Sequence, residues 1–200
     1  WRGSHYPTGE AFRKTAYYEH FQSLLCCKEL EQLLEQQDYR LVFYPHIEMQ
    51  KDSRRFKSGS DRITIVSKET HDVQKLLMDC ALLVTDYSSV FFDVAFLRKP
   101  VVYYQFDEEE FRKYHYQKGY FDFRRDGFGP VCTTQEALLE ALTESFENGM
   151  EMQTEYAQRT ERFFPLHDGN NCRRTFEAIV RMKERNKKHA AESESLSVHL

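Results

Sequence analysis

The run Leu82-Leu83-Val84-Thr85 is apolar until its last residue, and Asp86-Tyr87-Ser88-Ser89 then breaks it with a short polar turn. An uninterrupted apolar run of this length suits a strand covered on both faces, the usual condition inside a parallel sheet. Parallel neighbours cannot be joined by a hairpin, so each needs a crossover, commonly a helix. Residues 88–96 read as such a helix, and Pro100-Val101-Val102-Tyr103-Tyr104 as the strand that follows. Upstream, Arg40-Leu41-Val42-Phe43-Tyr44 and Ile63-Thr64-Ile65-Val66 read as two more strands. A helix over residues 15–36 is predicted from the spacing of Tyr18, Phe21, Leu24, Leu25, Leu30, Leu33 and Leu34. Val73, Leu76, Leu77 and Cys80 mark one face of another. Strands alternating with helices predict an α/β fold with a largely parallel sheet.

The rest of the chain is less periodic. Residues 50–61 are rich in Lys, Arg, Ser and Gly and read as an exposed loop. Residues 106–130 mix aromatics with charges and glycines, which predicts a long structured loop. Thr133-Thr134-Gln135-Glu136 has capping-box spacing and predicts a helix running to about residue 146. A last helix over residues 171–183 places Cys172, Phe176, Ile179 and Val180 on one face. Beyond Arg185 the apolar period is lost. The expectation is one domain over residues 1–185 and a disordered tail over 186–200.

The turn after Thr85 is where chemistry is expected, because open α/β sheets bind ligands at the carboxyl ends of their strands. Ser88 and Ser89 can offer hydroxyls and backbone amides where a helix begins, a setting that favours a phosphate. Asp93, four residues after Ser89, can reach the same pocket and accept hydrogen bonds from polyol hydroxyls. The alternative is that a serine merely caps the helix and Asp93 is a solvated charge.

Charge and cysteine usage narrow the classes. A net charge of -4 argues against a dedicated nucleic-acid binder. Cys26, Cys27, Cys80, Cys132 and Cys172 form no CxxC pair, which suits reduced thiols in a cytoplasmic protein and no metal. No signal peptide opens the chain, and no apolar run approaches the ~20 residues of a membrane span. Trp1 begins the chain inside what reads as a motif, so a fragment of a longer protein is expected.

Several ordered motifs carry a family resemblance. Asp86-Tyr87-Ser88-Ser89-Val90-Phe91-Phe92-Asp93-Val94-Ala95, followed by Lys99-Pro100, resembles the most recognisable motif of the CDP-glycerol glycerophosphotransferases of teichoic-acid type. The similarity continues through Phe106–Phe111, Gly119–Phe123, Gly129-Pro130 and Thr133, and resumes at His167-Asp168-Gly169-Asn170-Asn171-Cys172-Arg173-Arg174. Trp1-Arg2 resembles the end of a P-T-W-R motif. The resemblance implies a Rossmann-like domain, the C-terminal half of a GT-B-like fold, which holds the CDP-activated donor.

By that resemblance Arg2, Ser88, Ser89 and Asp93 bind CDP-glycerol, with Arg2 near its phosphates. His46 stands where the family carries a functional histidine, with Tyr44 and Pro45 beside it in the donor site. Its surroundings, Tyr44-Pro45-His46-Ile47, depart from the usual R-x-H-P context. The implied reaction moves glycerol phosphate from CDP-glycerol to a teichoic-acid-like or capsular acceptor, releasing CMP, with no cofactor. A nucleotide-sugar glycosyltransferase of the same fold and a non-catalytic binding relative are the alternatives. Lys51, Arg54, Arg55 and Lys57 form a basic loop, and Arg181, Lys183, Arg185, Lys187 and Lys188 a basic end. Either can meet a poly(glycerol phosphate) acceptor or the anionic inner face of a bacterial membrane, a peripheral location; the alternative is that they are a solvated loop and a frayed helix end. Asp107-Glu108-Glu109-Glu110 reads as an acidic helix start rather than a Mg²⁺ site. His115 has no spaced ligand partner and is expected to pack or face solvent.

Overall fold

The four apolar runs become β1 (Leu41–Phe43), β2 (Ile63–Ile65), β3 (Leu83–Thr85) and β4 (Val101–Tyr104), and a fifth strand, β5 (Val131–Cys132), joins them. The structure, a computed structural model, describes residues 6–114 and 119–197. Every strand pair among the described residues is parallel, β1 with β2 in one sheet and β3–β4–β5 in the other. The predicted α/β class with parallel strands is therefore present. All four residues of β4 are buried, as expected for the central strand of a sheet covered on both faces.

Helices fill the crossovers. They are α1 (Ala16–Leu25), α2 (Lys28–Gln36), α3 (Val73–Asp79), α4 (Phe91–Phe96), α5 (Glu108–Tyr114), α6 (Phe123–Asp126), α7 (Gln135–Glu147), α8 (Thr154–Phe163) and α9 (Asn171–Ser197). Two 3-10 helices, Gly9–Lys14 and Ile47–Arg55, complete the described elements. The chain divides into two compact units, Trp1–Glu161 and Arg162–Leu200, and both sheets belong to the first. In that unit Phe12, Leu25, Leu30, Val102, Tyr104 and Leu138 share one buried cluster. The Phe21 ring of α1 lies 5.3 Å from Phe43, the last residue of β1, and 5.9 Å from Tyr104, the last of β4. The carboxyl ends of both sheets therefore meet beside the same helix.

Several local expectations change. The helix expected over residues 15–36 is two helices, because the Leu25 carbonyl accepts from the Gly59 amide at 3.0 Å instead of continuing the helix. Residues 50–61 are not simply an exposed loop. Met49, Gln50, Asp52 and Ser53 of the second 3-10 helix are buried, and Phe56 behind them packs against Phe12, Tyr18 and Phe43. The cap of α7 is Thr134, not Thr133; its Oγ1 accepts from the Ala137 amide at 3.2 Å. The segment 106–130 holds α5, α6 and part of a ring cluster of Phe91, Phe121, Phe123 and Phe128. In the second unit, α9 runs to Ser197 where the apolar period ends near residue 183. Phe176 and Ile179 of its apolar face are 67% and 59% exposed.

Candidate functional site

The turn after β3 is built from buried polar groups. Thr85 and Asp86 are buried, and the Asp86 carbonyl accepts from Gln105 Nε2 at 3.1 Å. Asp86 Oδ1 accepts from the Ser88 amide at 3.3 Å, an Asx turn that bends the chain immediately after the strand. The Tyr87 ring lies flat on Phe111, with centroids 3.7 Å apart and planes 6° from parallel. The turn then closes with the Phe92 amide donating to the Ser89 carbonyl at 3.1 Å.

The cap of α4 is Val90, and no side chain caps it. The reading of Ser88 or Ser89 as a plain helix cap is thereby set aside. The Ser89, Val90 and Phe91 amides form no hydrogen bond to the described residues. Ser88 is half-buried, while Ser89 and Asp93 are exposed. With only six residues α4 has a modest dipole, so an anion here would be held by free amides and hydroxyls rather than by the helix field.

The second group follows β1. Pro45 is buried, and Tyr44 and His46 are half-buried. His46 caps the 3-10 helix, its Nδ1 accepting from the Glu48 amide at 3.3 Å. An accepting Nδ1 leaves the proton of the neutral ring on Nε2. Burial lowers the His46 pKa and favours that neutral form. The Tyr44 hydroxyl is pushed up by burial and by the charges of Glu69 and Asp72. Beside this group lies an open cavity of about 260 Å³ lined by Ile47, Glu48, Gln50, Lys51, Lys68 and Glu69. A larger depression of about 580 Å³, running from Glu31 and Ser58 to Ile65, includes none of the predicted site residues.

The structure thus brings Tyr44, Pro45 and His46 together at one strand end, and Ser88, Ser89 and Asp93 at another. The two groups leave different sheets, whose carboxyl ends meet beside α1. Arg2 and His115 lie outside the described residues. Arg55 leaves the basic loop, since it is held by Asp52 at 2.7 Å and Glu10 at 2.6 Å; Lys51, Arg54 and Lys57 remain exposed. Glu108, Glu109 and Glu110 form the first turn of α5. Among the described residues no three His, Cys, Asp or Glu converge as a metal-holding group. Sequence reasoning missed Gln50, Gln105 and Phe111, which shape the two corners. Gln105 left one signal, a polar residue closing an apolar strand. Phe111 closed the Phe106–Phe111 motif of the family resemblance, and Gln50 left no signal.

Comparisons with known proteins identify the family. Residues 2–181 match the family CDP-Glycerol:Poly(glycerophosphate) glycerophosphotransferase. The chain is 28% identical over 186 residues to the minor teichoic acid biosynthesis protein GgaB of Bacillus subtilis, covering 88% of this chain and 19% of that protein. It is 30% identical to the teichoic acid poly(glycerol phosphate) polymerase of the same organism over 55% of this chain and 15% of that one. It therefore spans about a fifth or less of the length of these relatives. The structure of the wall teichoic acid polymerase TagF shares its fold, with a TM-score of 0.55 and 22% identity over 78% of this chain and 38% of that one. With nearly the whole chain matched, it belongs to the CDP-glycerol:poly(glycerophosphate) glycerophosphotransferase family.

Proposed function

We propose that this chain is the donor-binding portion, the C-terminal half, of a CDP-glycerol glycerophosphotransferase. A hydroxyl oxygen of a teichoic-acid-like or capsular acceptor attacks the glycerol-bearing phosphorus of CDP-glycerol. The bond from that phosphorus to the bridging oxygen breaks, CMP leaves, and a base takes the hydroxyl proton. Little covalent chemistry falls to the protein in such a transfer, so positioning and charge stabilisation carry the rate.

The observation that carries this reading is the corner at Ser88–Phe91, where three amides with no partner among the described residues stand beside two serines at a strand end. That set of donors suits the diphosphate. Asp93, exposed in the first turn of α4, is assigned to the glycerol hydroxyls. His46, neutral with its proton on Nε2, is assigned to donate to the diphosphate or to the leaving CMP. Tyr44 and Pro45 frame it, and Arg2 is assigned to the phosphates.

The exposed Lys51, Arg54 and Lys57 supply a cationic track for a poly(glycerol phosphate) acceptor or an anionic inner membrane face. Among the described residues no helix is long and apolar enough to cross a membrane, so such attachment would be peripheral. Calorimetric titration with CDP-glycerol, CDP-ribitol and UDP-glucose tests the assignment. CDP-glycerol should bind more tightly than UDP-glucose, without turnover by these 200 residues alone. Preference for UDP-glucose would transfer the chain to the nucleotide-sugar reading, and CMP release by the isolated chain would refute the division of labour.

A further inference from the structure

The β1–β2 ladder ends in an unusual way. Its last regular bond runs from the Val66 amide to the Phe43 carbonyl at 3.0 Å. In a parallel ladder the next acceptor and donor, two residues on in each strand, are the Pro45 carbonyl and the Lys68 amide. Those two groups do not meet. The Gln50 carboxamide stands between them, with Nε2 donating to the Pro45 carbonyl at 2.6 Å and Oε1 accepting from the Lys68 amide at 3.1 Å. Gln50 is 8% exposed; its bond to Pro45 is buried and its bond to Lys68 is part-buried. One side-chain amide therefore acts as an inserted peptide unit. It splays the two strands by its own width while keeping both backbone groups satisfied.

We infer that Gln50 is a positioning residue for His46, wedging β1 and β2 apart where the chain turns into the donor site. The inference rests on the donor-binding role given to His46 above. His46 is the residue immediately after the bonded carbonyl, and it caps the same 3-10 helix that carries Gln50. The wedge thus fixes the ring from two sides: through the Pro45 peptide before it and through the helix after it. Glutamine is the side chain that fits, because one planar group must donate at one end and accept at the other. An ionised glutamate offers only acceptors, and methionine offers neither function with useful strength.

The test compares Gln50→Met and Gln50→Glu in the full chain, with circular dichroism to confirm folding. Gln50→Glu has the same shape and keeps the bond to Lys68, so it remains informative if Gln50→Met does not fold. Two quantities are read: the imidazole NMR resonances of His46, and the affinity for CDP-glycerol. Loss of the buried bond to Pro45 should weaken donor binding about tenfold. The His46 signals should move while those of His20, His71 and His167 stay in place. Unchanged His46 signals and unchanged affinity in a folded variant would overturn the inference. If the signals move but His46→Asn binds CDP-glycerol as well as the parent chain, the donor role of His46 fails and Gln50 is left as a structural wedge only.

Discussion

Two buried glutamines hold the two corners of the candidate site, one through a single bond and the other through both ends of its amide. Gln105, 1% exposed, stands one residue past β4 and donates across to the Asp86 carbonyl at the end of β3, 19 residues away in sequence. Gln50 uses both ends of its amide, donating to the Pro45 carbonyl five residues back and accepting from the Lys68 amide 18 residues on. The first corner is shaped by the neighbouring strand, so its turn can leave the Ser89, Val90 and Phe91 amides without a partner among the described residues. The second is tied by one side chain both to its own turn and to the chain just past β2, and it spends His46 Nδ1 on a cap. In the proposed function the serine corner grips an anion with backbone, and the histidine corner orients one ring nitrogen.

The largest effect should come from the sheet behind the serine corner. A Cβ added at Gly129 would stand 1.6 Å from the Val101 carbonyl oxygen and 2.6 Å from its carbon, both backbone atoms that cannot give way. Gly129→Ala should prevent β5 from docking on β4 and leave little folded chain, as circular dichroism and limited proteolysis would show. A soluble, cooperatively melting variant would break the claim that the serine corner leans on this sheet. Next, Gln105→Leu leaves the buried Asp86 carbonyl without its donor, which should cost about 1–3 kcal/mol in a denaturant titration. A loss well below this range would remove Gln105 as the holder of the serine corner.

Val90→Pro sharpens the comparison. Val90 has φ -60 and ψ -16, where proline fits the second position of a turn, and its amide has no described partner. Stability should change by less than about 1 kcal/mol, while CDP-glycerol affinity falls several-fold in calorimetry. Equal affinity would remove that amide from the cradle. The smallest effect concerns pH. Because burial holds the folded-state His46 pKa below its ordinary value, the unfolded chain binds the proton more readily. Its contribution is present above the unfolded-state pKa of about 6.5 and is lost as pH falls through the folded one. Melting scans should show a small acid destabilisation that His46→Gln removes.

The serine corner was legible in sequence because its information is contiguous: an apolar strand, a polar turn and a helix in one run. The family motifs spread along the chain added the expected chemistry. The histidine corner was legible only as a residue at a strand end. Its geometry depends on Gln50, which sits in a stretch so polar that it reads as loop, and burial of Gln50 and Asp52 follows from partners that local pattern does not reveal. The break in the first long helix was hidden for the same reason, since it is enforced by Gly59 from another part of the chain. β5, at two residues, is too short to carry a period at all.

The most direct measurement of the central claim follows the backbone amides of Ser89, Val90 and Phe91 by ¹⁵N-resolved NMR during titration with CDP-glycerol. The account expects these three signals to shift together and saturably with the donor. If the donor binds while all three stay fixed, the diphosphate is held elsewhere and the serine corner is not its cradle.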